Sequence, residues 1–194
     1  MLSDKLKNHN LILASGSPRR QQFFKDLGLD FEVRLKPVHE EYPKRLRHFE
    51  ISDYLSQLKS LPFKDDLKPN DILITSDTIV WNDEKALGKP SSKEDAFNML
   101  QSMSHKTHEV ITSVSFTTAS SQKTVNAITK VTFKELTEKE IIYYLDHYKP
   151  YDKAGAYGIQ EWIGHIGITS IEGSYFNVVG LPTHLVYKTL NSMV

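Results

Sequence analysis

Cysteine is missing from the 194 residues. Its absence excludes disulfides, thiolate metal sites and a cysteine nucleophile. Excess charge of either sign is missing as well, because 24 Lys and Arg balance 24 Asp and Glu. A neutral chain lacks the electrostatic footprint of a nonspecific nucleic-acid or membrane-surface binder. Neither nucleic acid nor membrane is therefore an expected partner, and local basic clusters must serve local purposes. No apolar run approaches the length of a membrane span. Met1 to Leu11 is polar and carries no signal-like apolar region. These absences make the cytoplasm the expected location. The eight histidines show no metal-ligand spacing: His105 and His108 lie three apart, but without a carboxylate–histidine motif around them.

What is present is the composition of a globular α/β protein, 39% hydrophobic and 25% charged. The length suits one domain, or two small lobes. Leu11 to Ala14 reads as a buried strand leading into Ser15-Gly16-Ser17-Pro18-Arg19-Arg20. A helix should start there, with Ser17 as N-cap, Pro18 at its first position, Phe23, Phe24 and Leu27 inward and Gly28 just past its end. Phe49 to Leu58 reads as a helix with Leu55 and Leu58 inward. Ile72 to Ile74 belongs to a strand expected to end at Ser76-Asp77-Thr78, and a turn follows near Asn82-Asp83-Glu84. Ser91 with Glu94, and Thr137 with Glu140, read as capping boxes of two further helices. The second of these should bury Ile141, Ile142 and Leu145. Val110 to Phe116 and Val125 to Phe133 alternate as an antiparallel pair of strands would. A last helix should begin near Pro182. Mixed strands and helices indicate an α/β domain with a mixed sheet.

Three segments offer chemistry. Ser15 to Arg20 lies where a strand gives way to a helix, and free N–H groups at a helix start attract anions. Gly16 permits close approach, Ser15 and Ser17 add hydroxyls, and Arg19 and Arg20 add charge and bidentate geometry. The plain alternative is a capped helix with two solvated arginines. Asp77, taken as just past a buried strand, could hold a divalent metal or activate water, or could simply close a turn. Asp152 to Gln160 packs glycines and alanines beside Lys153, which can hold a phosphate, and Gln160, whose amide both donates and accepts. Glu40, Lys59 and Lys89 are further charges, each alone an ordinary surface residue.

Taken together, these segments resemble the Maf family of nucleotide pyrophosphatases. The resemblance runs from Leu11 to about Leu190. It is carried by Ala14 to Arg20, Val38-His39-Glu40, Ser76-Asp77-Thr78, Gly88-Lys89-Pro90, Thr107 to Val110, Asp152 to Gln160, Gly173-Ser174-Tyr175 and Val179 to Pro182. It implies an elongated, mixed-sheet α/β fold of the Maf/ITPase-like kind. It also implies a single domain over residues 1–194, with two lobes around a deep cleft. The implied activity is hydrolysis of a nucleoside triphosphate to the monophosphate and pyrophosphate, with a divalent cation, Mg or Mn. By position, Asp77 looks like the catalytic base. Ser15, Arg20, Glu40, Lys59, Lys89 and Lys153 look like the polar residues around phosphates, metal and water, with Asp77 and Glu40 as the metal's carboxylates. Arg19, Thr78 and Gln160 match the branch resembling dTTP/UTP pyrophosphatases. The 7-methyl-GTP branch has tryptophan, glutamine and glutamate at these places. An aromatic face and a carboxylate suit a cationic methylated guanine; a neutral Gln160 suits an uncharged pyrimidine.

Two stretches depart from the family pattern. Ser104-His105-Lys106 stands where serine and glycine are usual, which is expected to affect a turn. Leu58-Lys59-Ser60 replaces a more alanine-rich run. Two rival functions are a house-cleaning hydrolase of inosine or xanthosine triphosphates and a nucleotide-binding regulator of cell division without turnover. The sequence leaves a homodimer open.

Overall fold

The computed structural model describes residues 1–194. In chain order the elements are α1 (Leu2–Lys5), β1 (Asn10–Leu13), α2 (Pro18–Asp26), β2 (Glu32–Val33), α3 (Phe49–Leu58), β3 (Asp71–Asn82), β4 (Lys85–Leu87) and α4 (Lys93–Met103). They continue with β5 (Thr107–Thr117), β6 (Gln122–Phe133), α5 (Glu138–Tyr148), α6 (Trp162–Gly167), β7 (Ile168–Glu172), α7 (Tyr175–Val179) and α8 (Thr183–Met193). The strands form one mixed sheet of order β2-β1-β3-β5-β6-β7, with β4 paired to β3. Parallel pairs β1/β2 and β1/β3 coexist with antiparallel pairs β3/β4 and β6/β7. Neighbours β5 and β6 are joined only by the turn 118–121, where the Thr118 N–H donates to Ser121 O at 2.8 Å. A connection that short allows only antiparallel pairing. No helix is long and apolar enough to cross a membrane.

The chain folds as two compact units. The first comprises Met1–Asp77, Thr112–Ala127 and Gly180–Val194; the second comprises Thr78–Ile111 and Ile128–Val179. The core of the first unit gathers Leu11, Leu13, Ile72 and Ile74 from the parallel strands, Phe24 from α2, Val114 and Phe116 from β5, and Val186 and Leu190 from α8. Leu2 and Leu6 join it, so the N-terminal turn that the sequence left unassigned is anchored by two buried leucines. The core of the second unit is built on Leu100 and Met103 of α4, Val131 and Phe133 of β6, and Ile141, Tyr144 and Leu145 of α5.

Local signals set most element starts. Ser17 caps α2, Pro18 follows at its first position, and Gly28 takes φ +66 beyond its end. Thr137 and Glu140 form the capping box of α5. Three expectations need correction. α4 is capped one residue later than expected: Ser92 Oγ accepts from Asp95 N at 3.0 Å, and the Asp95 carboxylate reaches back to Ser91 N at 2.8 Å. Ser91 and Glu94 therefore form no box. Ile142 is exposed, because the buried stripe of α5 runs through Ile141, Tyr144 and Leu145. Finally, β3 does not end at Asp77 but runs on to Asn82 and turns back through Asp83 and Glu84, both at positive φ, into β4.

Candidate active site

Asp77 lies inside a strand, yet it occupies an edge of another kind. β1 pairs with β3 only from Asn10/Asp71 to Leu13/Ile74, and the last bond is Ala14 N–H to Ile74 O at 2.9 Å. Beyond Ala14 the chain leaves the sheet as the Ser15–Ser17 turn, while β3 continues. Asp77 sits just past the point where its parallel neighbour ends, which is where open α/β sheets place reactive groups. The turn is tied by Ser17 N–H to Ser15 Oγ at 3.3 Å and by Gln21 Nε2 to Ser15 O at 3.1 Å. Ser15 is buried and Gly16 exposed.

Arg20 is not a solvated arm. Its Nε donates to Gly180 O at 2.8 Å and its NH1 to Ser76 O at 2.9 Å. The guanidinium thereby fixes the backbone beside Asp77. Burial draws its pKa down and the Asp77 charge draws it back up. An arginine remains cationic at neutral pH regardless.

Lys59 follows the last residue of α3. Its ammonium lies 2.6 Å from Asp77 Oδ1 and 3.1 Å from Glu40 Oε2. Three residues far apart in sequence thus meet at one charge. α3 is placed to deliver Lys59 by hydroxyls instead of by apolar packing alone. Ser52 Oγ meets Ser113 Oγ at 2.7 Å, and Ser56 Oγ meets Ser115 Oγ at 2.8 Å. Asp53 accepts from Ser113 Oγ at 2.6 Å and from Asn126 Nδ2 at 3.1 Å. Thr75 Oγ1 donates to Ser56 O at 2.6 Å. Directional bonds fix helix rotation and register more tightly than aliphatic contacts do. The sequence showed these residues only as scattered Ser and Thr.

The Asp77 carboxyl is raised above the usual aspartate range. Burial is the main cause and Glu40 adds to it, while Lys59 and Arg20 pull the other way. A carboxylate so placed is a stronger base than a free one. Two carboxylates, Asp77 and Glu40, converge on one ammonium. A pair that already shares a single cation is the donor set a hard divalent ion uses when phosphates supply its remaining ligands. Two carboxylates are the protein's share of such a set, and no group of three or more His, Asp or Glu is gathered here.

In the second unit, Lys153 is nearly buried and stands between Asp152 Oδ1 at 2.7 Å and Glu161 Oε1 at 3.0 Å. Its backbone leads into a tight turn in which Gly155 takes φ +67 and a Cβ would meet Val80 Cγ2 at 2.8 Å. Glu161, invisible to motif reading, is the partner the sequence analysis missed. The only signal was an acidic residue directly after Gln160 in a run of small residues. Gln160 and Lys89 are exposed, and Arg19 and Thr78 are half-buried.

The Maf-like protein family matches residues 10–193. A protein of Flavobacterium johnsoniae named dTTP/UTP pyrophosphatase is 60% identical over 194 residues, covering 100% of both chains. One of Christiangramia forsetii with the same name is 61% identical, covering 100% of this chain and 99% of its own. One of Bacteroides fragilis, again so named, is 48% identical over 97% of this chain and 98% of its own. Among solved structures, the Staphylococcus aureus Ham1 protein superposes with a TM-score of 0.53 at 16% identity, covering 95% of this chain and 100% of that one. That likeness concerns the fold, which is the mixed-sheet α/β fold expected from the sequence. With a family match from Asn10 to Met193 and relatives aligned along their whole length, the chain belongs to the Maf family.

Proposed function

We propose that this protein hydrolyses dTTP and UTP to the nucleoside monophosphate and pyrophosphate. The observation that supports it best is Asp77: a buried carboxylate of raised pKa whose Oδ1 accepts from Lys59. A water oxygen attacks the α-phosphorus and its proton passes to Asp77. The bond from that phosphorus to the α–β bridging oxygen breaks, and pyrophosphate leaves. Lys59 favours the ionised form of Asp77 against the cost of burial, and aims it. Ser15, Lys89 and Lys153 hold phosphate oxygens, and Arg20 braces the strand that carries the base while adding positive field. Asp77 and Glu40 would hold a Mg or Mn ion, which would supply charge relief on the phosphates and lower the pKa of a bound water. Free nucleoside triphosphates as substrates suit a cytoplasmic location.

Arg19, Thr78 and Gln160 set the base preference. The Gln160 amide can donate to a pyrimidine carbonyl and accept from its ring N–H. Uracil and thymine share that pattern and cytosine does not. Sites built on such bonds reject analogues that leave a buried polar group unpaired. The extra methyl of thymine is worth only about 1–3 kcal/mol in a pocket. The test is pyrophosphate release from dTTP, UTP, CTP, ITP, XTP and 7-methyl-GTP, with Mg or Mn. Comparable kcat/KM for dTTP and UTP is expected, with clearly lower values for the others. A best rate on 7-methyl-GTP would overturn the three-residue reading, a best rate on ITP or XTP would make it a purine house-cleaning enzyme, and binding without turnover would make it a regulator.

A further inference from the structure

Lys153 is held by more than a neighbouring charge. Glu161 Oε1 meets its ammonium at 3.0 Å, and the other oxygen, Oε2, accepts the Tyr144 hydroxyl proton. The same Tyr144 oxygen accepts the Gly158 N–H at 3.0 Å. Gly158 also makes room for the carboxyl, since a Cβ there would stand 2.8 Å from Glu161 Cδ. Tyr144 is fully buried on α5, between Ile141 and Leu145 of the same core. Its hydroxyl stays protonated, because burial and then the Glu161 contact push it well above the usual phenol range. The result is a chain of bonds from a rigid helix to the ammonium of a loop lysine. Asp152, the other partner of Lys153, is 61% exposed at its side chain and is a poor anchor.

We propose that Glu161, braced by Tyr144, is a positioning residue that holds the Lys153 ammonium in place for a substrate phosphate. Without it, Lys153 pairs with Asp152 alone and its flexible stem swings outward. The acid that aims the lysine lies in the segment that also carries Gln160, so one brace steadies two groups assigned to the substrate. The inference rests on the reading of Lys153 as a phosphate ligand given above.

A double-mutant cycle on dTTP hydrolysis separates positioning from mere structural support. Glu161→Ala should lower kcat/KM about ten-fold, chiefly through KM, because a ligand to a phosphate lost in ground and transition state alike raises KM. Glu161→Gln, which keeps a carbonyl acceptor for the ammonium, should recover most of the loss. Tyr144→Phe should fall between them. In a Lys153→Ala background, Glu161→Ala should change kcat/KM less than about two-fold, as expected of residues that act as one unit. Equal losses from Glu161→Ala with and without Lys153 would overturn the proposal, as would no recovery by Gln. If Lys153→Ala alone leaves kcat/KM unchanged, the phosphate role of Lys153 fails and the positioning role with it. Absence of any dTTP turnover in the wild-type protein would instead strike at the proposed function.

Discussion

Each unit holds one lysine between two carboxylates, and the two trios are built for opposite ends. In the first unit Lys59 contacts Asp77 at 2.6 Å and Glu40 at 3.1 Å; in the second Lys153 contacts Asp152 at 2.7 Å and Glu161 at 3.0 Å. The distances barely differ. Burial does. Asp77 is the most buried of the four acids, with a side chain 9% exposed, and its pKa is raised despite the cation beside it. Lys59 is the one side chain that donates to it, and on the proposed function the first trio keeps a carboxylate to accept a proton. Glu161 has its second oxygen occupied by a phenol, and so serves as a strut. A lysine between two acids is thus not one motif. What occupies the remaining carboxylate oxygen decides whether the acid reacts or supports.

Asp77→Asn breaks this comparison most severely. It keeps size and removes basicity, so turnover should fall by about 10²–10⁴-fold, as is typical for a general base. Nucleotide binding, followed by calorimetry, should largely persist. Turnover within a few-fold of wild type would leave the first trio as structural as the second. Lys59→Met sharpens the point. Lys59 is the strongest influence lowering the Asp77 pKa, so its removal should raise that pKa further. With Asp77 as the proposed base, the acidic limb of the pH–kcat/KM profile should move to higher pH. A limb that stays in place would mean that another group governs it.

Asp77 and His108 should also answer to pH with opposite sign. Asp77 has a folded pKa above its unfolded value, so its stabilising contribution is complete below the unfolded pKa and lost as pH rises through the folded one. Asp77→Asn, which cannot ionise, should lose less stability than wild type as pH rises from acid towards neutral, read from thermal midpoints. His108 of the second unit does the reverse. It stacks on Phe133 at 5.4 Å, its Nε2 lies 2.7 Å from the Tyr157 hydroxyl, and burial lowers its pKa to about 4. Its contribution is present above about pH 6.5 and lost as pH falls toward 4, to a total of about 3 kcal/mol. His108→Gln keeps a polar partner for Tyr157 and does not titrate. Urea unfolding at pH 7.5 and 4.5 should show a smaller acid loss in this variant than in wild type, and equal losses would remove His108 as the cause.

The sequence made the ends of elements legible where a local group decides them. Ser17, Pro18 and Gly28 frame α2, Thr137 and Glu140 open α5, and α3 has the bounds Phe49–Leu58 that the pattern predicts. It misjudged β3, because residues 71–77 are all buried and carry no alternation to show where pairing with β1 stops. It missed α1, whose four residues are held by Leu2 and Leu6 against the core rather than by propensity. The candidate site followed the same division. The resemblance put Asp77, Glu40 and Lys59 at one site, and the fold adds that both acids meet the Lys59 ammonium. Glu161 was absent from the reading because its meaning lies in Tyr144, 17 residues earlier on a helix face that reads as plain core.

The smallest effect concerns a turn in the second unit where this chain departs from its family. His105, where the family resemblance leads one to expect glycine, takes φ +58. The surrounding bonds leave it no alternative. Its N–H donates to Lys134 O at 3.1 Å, Lys106 N–H to Met103 O at 3.2 Å, and Phe133 N–H to Lys106 O at 3.0 Å. Ser104 Oγ accepts from Leu136 N at 2.8 Å. The strain of the turn falls on His105. A left-handed conformation costs a residue with a Cβ about 1–2 kcal/mol, and glycine gives back about 0.5–1 kcal/mol through its freer unfolded chain. The side chain is exposed, so little packing is lost on its removal. His105→Gly should then stabilise the protein by about 0.5–1 kcal/mol in urea unfolding, with kcat/KM for dTTP unchanged. His105→Val should destabilise it, since a β-branched residue tolerates positive φ worse. A loss of stability on His105→Gly would show that the histidine makes a contribution at this turn greater than its backbone strain.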